Sequence, residues 1–137
     1  MTSRFLSTLA LILTAALSLS AHHAAAGIDR TASKELKGTI KAFSWQNPHS
    51  WMEVDVVGPD GKVVTWTVEM TAPNVLINEG WTRTALQEGD KVTVFVNPLR
   101  NAITLNDGSQ GGLYVGVVLA DGKKLGQTDG TGRGSSQ

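Results

Sequence analysis

The sequence contains no cysteine. Disulfides, thiol catalysis and cysteine-ligated metals are therefore excluded, and the domain has to be stable without disulfides. Net charge is also missing: 12 Lys and Arg balance 12 Asp and Glu, with no basic run. That argues against nucleic acid as the main partner, because phosphate backbones are held by clustered cations. It argues equally against electrostatic docking on anionic lipid. No apolar run reaches the ~20 residues of a spanning helix. The main apolar stretch, Phe5 to Leu19, is shorter and is interrupted by Ser7, Thr8, Thr14 and Ser18. Nucleophile elbow, phosphate loop, zinc-protease helix and haem-attachment motifs are all absent. The chain is accordingly read as non-enzymatic.

The first residues follow the plan of a secretory signal: the cation Arg4, an uncharged apolar stretch, then small residues. Residues 1–21 are read as a cleaved signal peptide, which places the mature protein in the periplasm or outside the cell with no membrane attachment. Cleavage after Ser20, Ala21 or Ala26 each satisfies part of the small-residue rule. Without Arg4, 11 cations face 12 anions, a net charge of −1. Residues 22–33 carry little apolar content and are expected to be a flexible lead-in. The tail 121–137, rich in Gly, Lys, Thr, Asp and Ser, is expected to be disordered. One folded unit is expected over 34–120, within the usual size of a single domain.

Inside that unit the hydrophobic period is mostly two. Leu36, Gly38, Ile40 and Ala42 form one face of a first strand. Met52, Val54 and Val56 do so in a second, and Val64, Trp66, Val68 and Met70 in a third. The turn Gly58-Pro59-Asp60-Gly61 joins the second strand to the third as a hairpin. A short helix is predicted over Ala72 to Gly80, with Pro73 in its first turn and Gly80 past its end. A fourth strand carries Val92, Val94 and Val96, and a fifth Leu113, Val115, Val117 and Leu119. The expected fold is all-β with one short helix, in the order β-β-β-α-β-β. That is the order of the five-stranded OB-fold barrel.

Five segments occur in sequence: Asn47-Pro48-His49-Ser50-Trp51, Asp60-Gly61-Lys62, Trp66-Thr67-Val68-Glu69, Gly80-Trp81-Thr82 and Gly89-Asp90-Lys91-Val92-Thr93-Val94. With the His-His pair at the signal boundary, they resemble a family of small exported bacterial proteins classed as a domain of unknown function. The resemblance spans roughly 21–120 and implies periplasmic export and a small β-barrel. Family members tend to place His-His directly after the cleavage site. Here Ala24-Ala25-Ala26 follows the pair and offers a competing cut.

Three groups of residues are candidates for chemistry. His22, His23 and His49 are the only histidines, and imidazole is a common ligand for copper, nickel and zinc. A terminus at Ala21 or His22 supplies an amine beside those rings, which suits tetragonal Cu(II), so copper is the one cofactor considered. Trp45, His49 and Trp51 lie in or beside the connection between strands one and two. With Phe43 they are expected to form an aromatic platform at the barrel mouth for a flat ligand or a partner. Glu53, Asp55 and Glu69 fall on the outward faces of the hairpin, where a hard-ligand or acid–base cluster would form if they converge. Trp66 is expected in the core, Trp81 as a cap on one barrel end, and Met52 and Met70 inside. The leading expectation is a periplasmic binding or accessory protein that takes a small ligand or a protein partner, and not nucleic acid, through Trp45, His49, Trp51, Glu53, Asp55 and Glu69. The alternatives are a copper-binding protein using His22 and His23, and a minor hydrolase using His49 with Glu53 or Asp55.

Overall fold

Alternating β-branched and polar residues form the strands seen in the structure, a computed structural model that describes residues 27–102 and 104–132. They are β1 (Lys34–Ser44), β2 (Trp51–Val57), β3 (Val63–Glu69), β4 (Lys91–Pro98), β5 (Gln110–Val118) and β6 (Lys124–Gly126). One helix, α1 (Pro73–Asn78), separates β3 from β4. The sheet order is β3-β2-β1-β4-β5-β6, and a parallel pairing of β3 with β5 closes the first five strands into a barrel. This is the OB-fold expected from the order of elements. Closure removes sheet edges and buries one face of each strand. None of the helices among the described residues is long and apolar enough to cross a membrane.

The long strand β1 pairs with β4 through its first half and with β2 through its second. Gly38 lies at the crossing. A Cβ there would come within 2.4 Å of the Asp55 carbonyl oxygen, so only glycine allows the strands to approach. The interior is filled by Leu36, Ile40, Met52, Val54, Trp66, Val68, Met70, Val92, Val94 and Val96, all buried. Leu76 of α1 and Trp81 close one end of the barrel. The expected inward faces of β2, β3 and β4 are therefore observed, with one difference. Val64 is 38% exposed, because the β2–β3 hairpin runs on past the core.

Two strands depart from simple alternation. Ile40 pairs with Val54 and Ala42 with Glu53, so Lys41 is an extra residue, a β-bulge. One extra residue reverses the facing of everything after it. Ala42, expected inside, is exposed, and Phe43 and Trp45 pack against the core instead. In β5, Gly116 opposes Phe95 and Tyr114 opposes Val96, which leaves Val115 as a second bulge. The inward residues are consequently Tyr114 and Val117, not an unbroken Leu113-Val115-Val117 face.

Both flanking segments are packed as far as they are described. Ile28 is buried and bridges Leu99, and the Asp29 amide donates to the Pro98 carbonyl at 2.8 Å. The expected flexible lead-in thus lies against the barrel over 27–33. Beyond Asp121, β6 pairs with β5 and buries Leu125 in the core. The Gln127 amide then donates to the Val115 carbonyl at 2.9 Å. A disordered tail was expected because apolar residues are sparse there, yet one leucine and a backbone ladder are enough to hold it. Asn97 Nδ2 reaches the carbonyls of Ala32 at 2.7 Å and Gly132 at 3.5 Å, joining the two segments on the outer face of β4. Residues 1–26 and 133–137, with the expected signal peptide and its candidate cleavage positions, lie outside the described residues.

Candidate functional site

Register decides which candidate residues meet. Trp51 opens β2 directly opposite Glu69, the last residue of β3, and both face outward. The ladder continues past the strand ends, with the Met70 amide donating to the Ser50 carbonyl at 2.8 Å. This places His49 diagonally across from Glu69, within reach of a long side chain. His49 Nδ1 lies 2.5 Å from Glu69 Oε1, and both side chains are mostly covered, at 26% and 22% exposure. Two of the candidates thus form a pair that period-two reading alone did not predict.

Beside this pair lies an apolar pocket of about 250 Å³. Its walls are Ile28, Trp51, Leu99 and Leu105, its floor is Gly111, and Thr67 and Glu69 supply its polar edge. Gly111 is required by the geometry, because a Cβ there would fall 2.3 Å from Leu99 Cδ1. Leu99 and Leu105 come from the β4–β5 connection. That connection bends at Asn101, whose φ of 61° is in the left-handed region. It is fastened by Asp107, whose Oδ1 accepts from the Ser109 amide (2.9 Å) and from Ser109 Oγ (2.6 Å). Ser109 Oγ in turn meets Thr67 Oγ1 at 2.9 Å. The Ser109 side-chain and backbone hydrogen bonds hold the Asp107 carboxyl below its usual range. A carboxyl depressed by folding stabilises the loop above its ordinary pKa, and the contribution is lost as pH falls through the folded value. We expect the Asp107 carboxyl to titrate by NMR below 3.8, the ordinary value, and Ser109→Ala to return its midpoint towards that value.

The remaining candidates do not join this site. Trp45 was expected beside Trp51. The Lys41 bulge sends it to the opposite face, against Phe43 at 6.1 Å between ring centroids, and Phe43 in turn lies 5.9 Å from Trp81. The barrel mouth is therefore packed, and the pocket sits on the outer wall. Glu53, Asp55 and Glu69 do not converge either. Glu53 pairs with Lys41 at 3.0 Å, Asp55 accepts from Thr65 Oγ1 at 2.6 Å, and Glu69 holds His49. The Lys41–Glu53 contact holds the lysine charged by raising its pKa, but such exposed pairs contribute little. Among the described residues no three His, Asp or Glu side chains are grouped to hold a metal. His22 and His23 lie outside the described residues, and one nitrogen of His49 is already committed to Glu69.

A wider cleft of about 450 Å³ lies where β1 crosses from β4 to β2, among Lys37, Thr39, Asp55 and Lys91. Its polar groups are already satisfied: Lys91 Nζ donates to Thr39 Oγ1 at 2.6 Å, and Asp55 is held by Thr65. The smaller apolar pocket is the better candidate, since it combines hydrophobic walls with a single ionisable group. Sequence reading missed Ile28, Thr67, Leu99, Leu105 and Gly111. Leu99 and Leu105 did leave a signal, as large apolar residues in a polar loop that need cover from somewhere.

No curated protein matches the chain. Among solved structures, two crystal structures of the mitochondrial single-stranded DNA-binding protein Rim1 from S. cerevisiae are similar, at 15% and 13% identity. Each has a TM-score of 0.48 and covers 66% of this chain and 95% of the yeast chain. The sequence model of DUF6152, a family of unknown function, matches residues 10–112, most of the chain, which therefore belongs to that family.

Proposed function

We propose that the protein is an exported, non-enzymatic binding module whose ligand sits in the outer pocket walled by Trp51, Leu99 and Leu105. The observation that carries this reading is the location of that concave apolar site. It lies on the outer β2–β3 face between the β1–β2 and β4–β5 connections. OB-folds place their ligands at that face and those loops. About 250 Å³ is small beside ordinary ligand sites, so the site suits a compact ligand or one anchoring group of a larger one.

Charge supports a partner other than nucleic acid. Single strands bind in basic grooves with stacked aromatics. The outer face of β2 and β3 instead carries Glu53, Asp55 and Glu69, with Lys41 already paired to Glu53. Catalysis by His49 with Glu53 or Asp55 has no support in the geometry, since each of those carboxylates has a different partner.

Titration with phenol, followed by amide chemical shifts, tests the reading. Shifts should concentrate at Trp51, Leu99, Leu105 and Gly111, and Trp51→Ala should weaken binding by about tenfold or more, as loss of an aromatic anchor does. Shifts scattered over the surface, or unchanged in Trp51→Ala, would sink the proposal. Adding Cu(II) to the processed protein tests the copper alternative. Retention of one equivalent, lost in a His22→Ala/His23→Ala double variant, would favour it.

A further inference from the structure

Resting on that reading, we infer that the pocket selects a small free alkylammonium ligand: a positively charged nitrogen at the end of a short apolar chain. Four observations converge on this chemistry. Among the described residues Glu69 is the only ionisable one lining the pocket, so that lining offers a carboxylate and no cation. An anionic ligand would meet like charge, and a neutral one would leave that carboxylate partly covered and less hydrated.

Trp51 stands directly across the β2–β3 ladder from Glu69, and both line the pocket. An aromatic face beside a carboxylate is the pairing that recognises organic ammonium groups, and tryptophan is the strongest partner for a cation. His49 Nδ1 meets Oε1 of Glu69. A carboxylate can accept further donors on its second oxygen, so the pair positions Glu69 without exhausting it.

The shortage of acceptors defines the cation further. Ser109 Oγ donates to Asp107, so Thr67 Oγ1 donates to Ser109 Oγ at 2.9 Å, and the side-chain acceptors left at the pocket edge are Glu69 and the Thr67 oxygen. A guanidinium carries five donors and would leave several unmet, whereas an ammonium makes fewer demands. The apolar walls of Ile28, Leu99 and Leu105 suit the alkyl portion.

A free ligand fits better than an extended peptide. In the pocket floor β3 is paired on both sides, to β2 and to β5, with Thr67 opposite Glu53 and Gly111. There is no open edge here for a partner strand to join.

The test is a set of NMR titrations of the processed, full-length protein at neutral pH with n-butylammonium, 1-butanol and butanoate, which are similar in size and differ in charge. The expected result is shifts at Trp51, Glu69 and Gly111, with butylammonium bound about tenfold or more tightly than the alcohol, as a charge-assisted contact provides. Glu69→Gln should erase that preference, lowering butylammonium to the affinity of the alcohol. Equal binding of all three probes would overturn the ammonium inference and leave the pocket reading standing. Binding of none would overturn both. A fourth probe, N-acetyl-lysine methylamide, separates the sources of the cation. If it binds at least tenfold more tightly than butylammonium, the occupant is a lysine of a partner protein and the free-ligand assignment fails.

Discussion

Trp81→Ala should remove about 3–5 kcal/mol from the unfolding free energy, the range for truncating a buried tryptophan. Domains of this size have only about 5–15 kcal/mol in total, so the loss is a large share of the stability. The reason is position. Trp81 is 1% exposed and follows Gly80, whose φ of 89° turns the chain back beneath the barrel. There the indole packs edge-on against Tyr114, at 5.5 Å between centroids, and against Phe43. Its Nε1 donates to the Tyr114 hydroxyl at 3.0 Å, and that hydroxyl donates to Glu79 Oε2 at 3.1 Å. Burial drives the Tyr114 phenol well above its ordinary pKa, which keeps it neutral and able to donate. Alanine would leave a cavity too large for the end of a small barrel to close. Trp81→Phe keeps most of the ring and forfeits the indole hydrogen bond, so a smaller loss of about 1–2 kcal/mol is expected. Urea denaturation of the two variants decides the matter. A loss below 1 kcal/mol for alanine would mean that the barrel end is closed by something other than this side chain.

Gly116→Ala is the second large effect. A Cβ on Gly116 would lie 2.0 Å from the carbonyl oxygen of Gln127 and 2.5 Å from its carbon. Both are backbone atoms, so no rotamer change relieves the clash. The tail has to move away from β5, breaking the Gln127–Val115 hydrogen bond and withdrawing Leu125, 2% exposed, from the core. Re-exposing a leucine costs about 1.5–3 kcal/mol, and the lost ladder adds to it. Gly89 gives a control. Its φ of 92° strains any other residue, but a Cβ there meets nothing within 4 Å. Gly89→Ala should cost only about 1 kcal/mol, from backbone strain. Hydrogen exchange at the Leu125 and Gln127 amides should accelerate in Gly116→Ala and stay slow in Gly89→Ala. Equal behaviour of the two variants would show that close approach of the tail contributes nothing.

The parts of the fold that obey one local rule were legible in the residues. Strict alternation located β2, β3 and β4, Pro73 and Gly80 bracketed α1, and Gly58 to Gly61 marked the hairpin. The order of these elements was enough to indicate the barrel. Bulges escape such reading, because an extra residue changes no composition and only shifts parity downstream. Lys41 therefore cost the assignment of Ala42 and Phe43, and with it the supposed neighbourhood of Trp45 and Trp51. The site was half legible for a related reason. Trp51, His49 and Glu69 could each be named, but their meeting depends on a register extending beyond β2 and β3. The pocket walls come from a loop and from a segment ahead of β1, brought in across the barrel by contacts that carry no periodic signature.

Barrel closure has a kinetic consequence. The β2–β3 hairpin turns within Gly58 to Lys62 and can zip on a microsecond scale. The pairings that make the barrel are of another kind: Lys34 must find Val96, and Trp66 must find Gln110. Each such pairing closes a long loop before any contact rewards it, and all-β chains built this way fold in milliseconds to seconds. Until then the apolar faces of β2 and β3 stand open to solvent, a state that a holdase can engage.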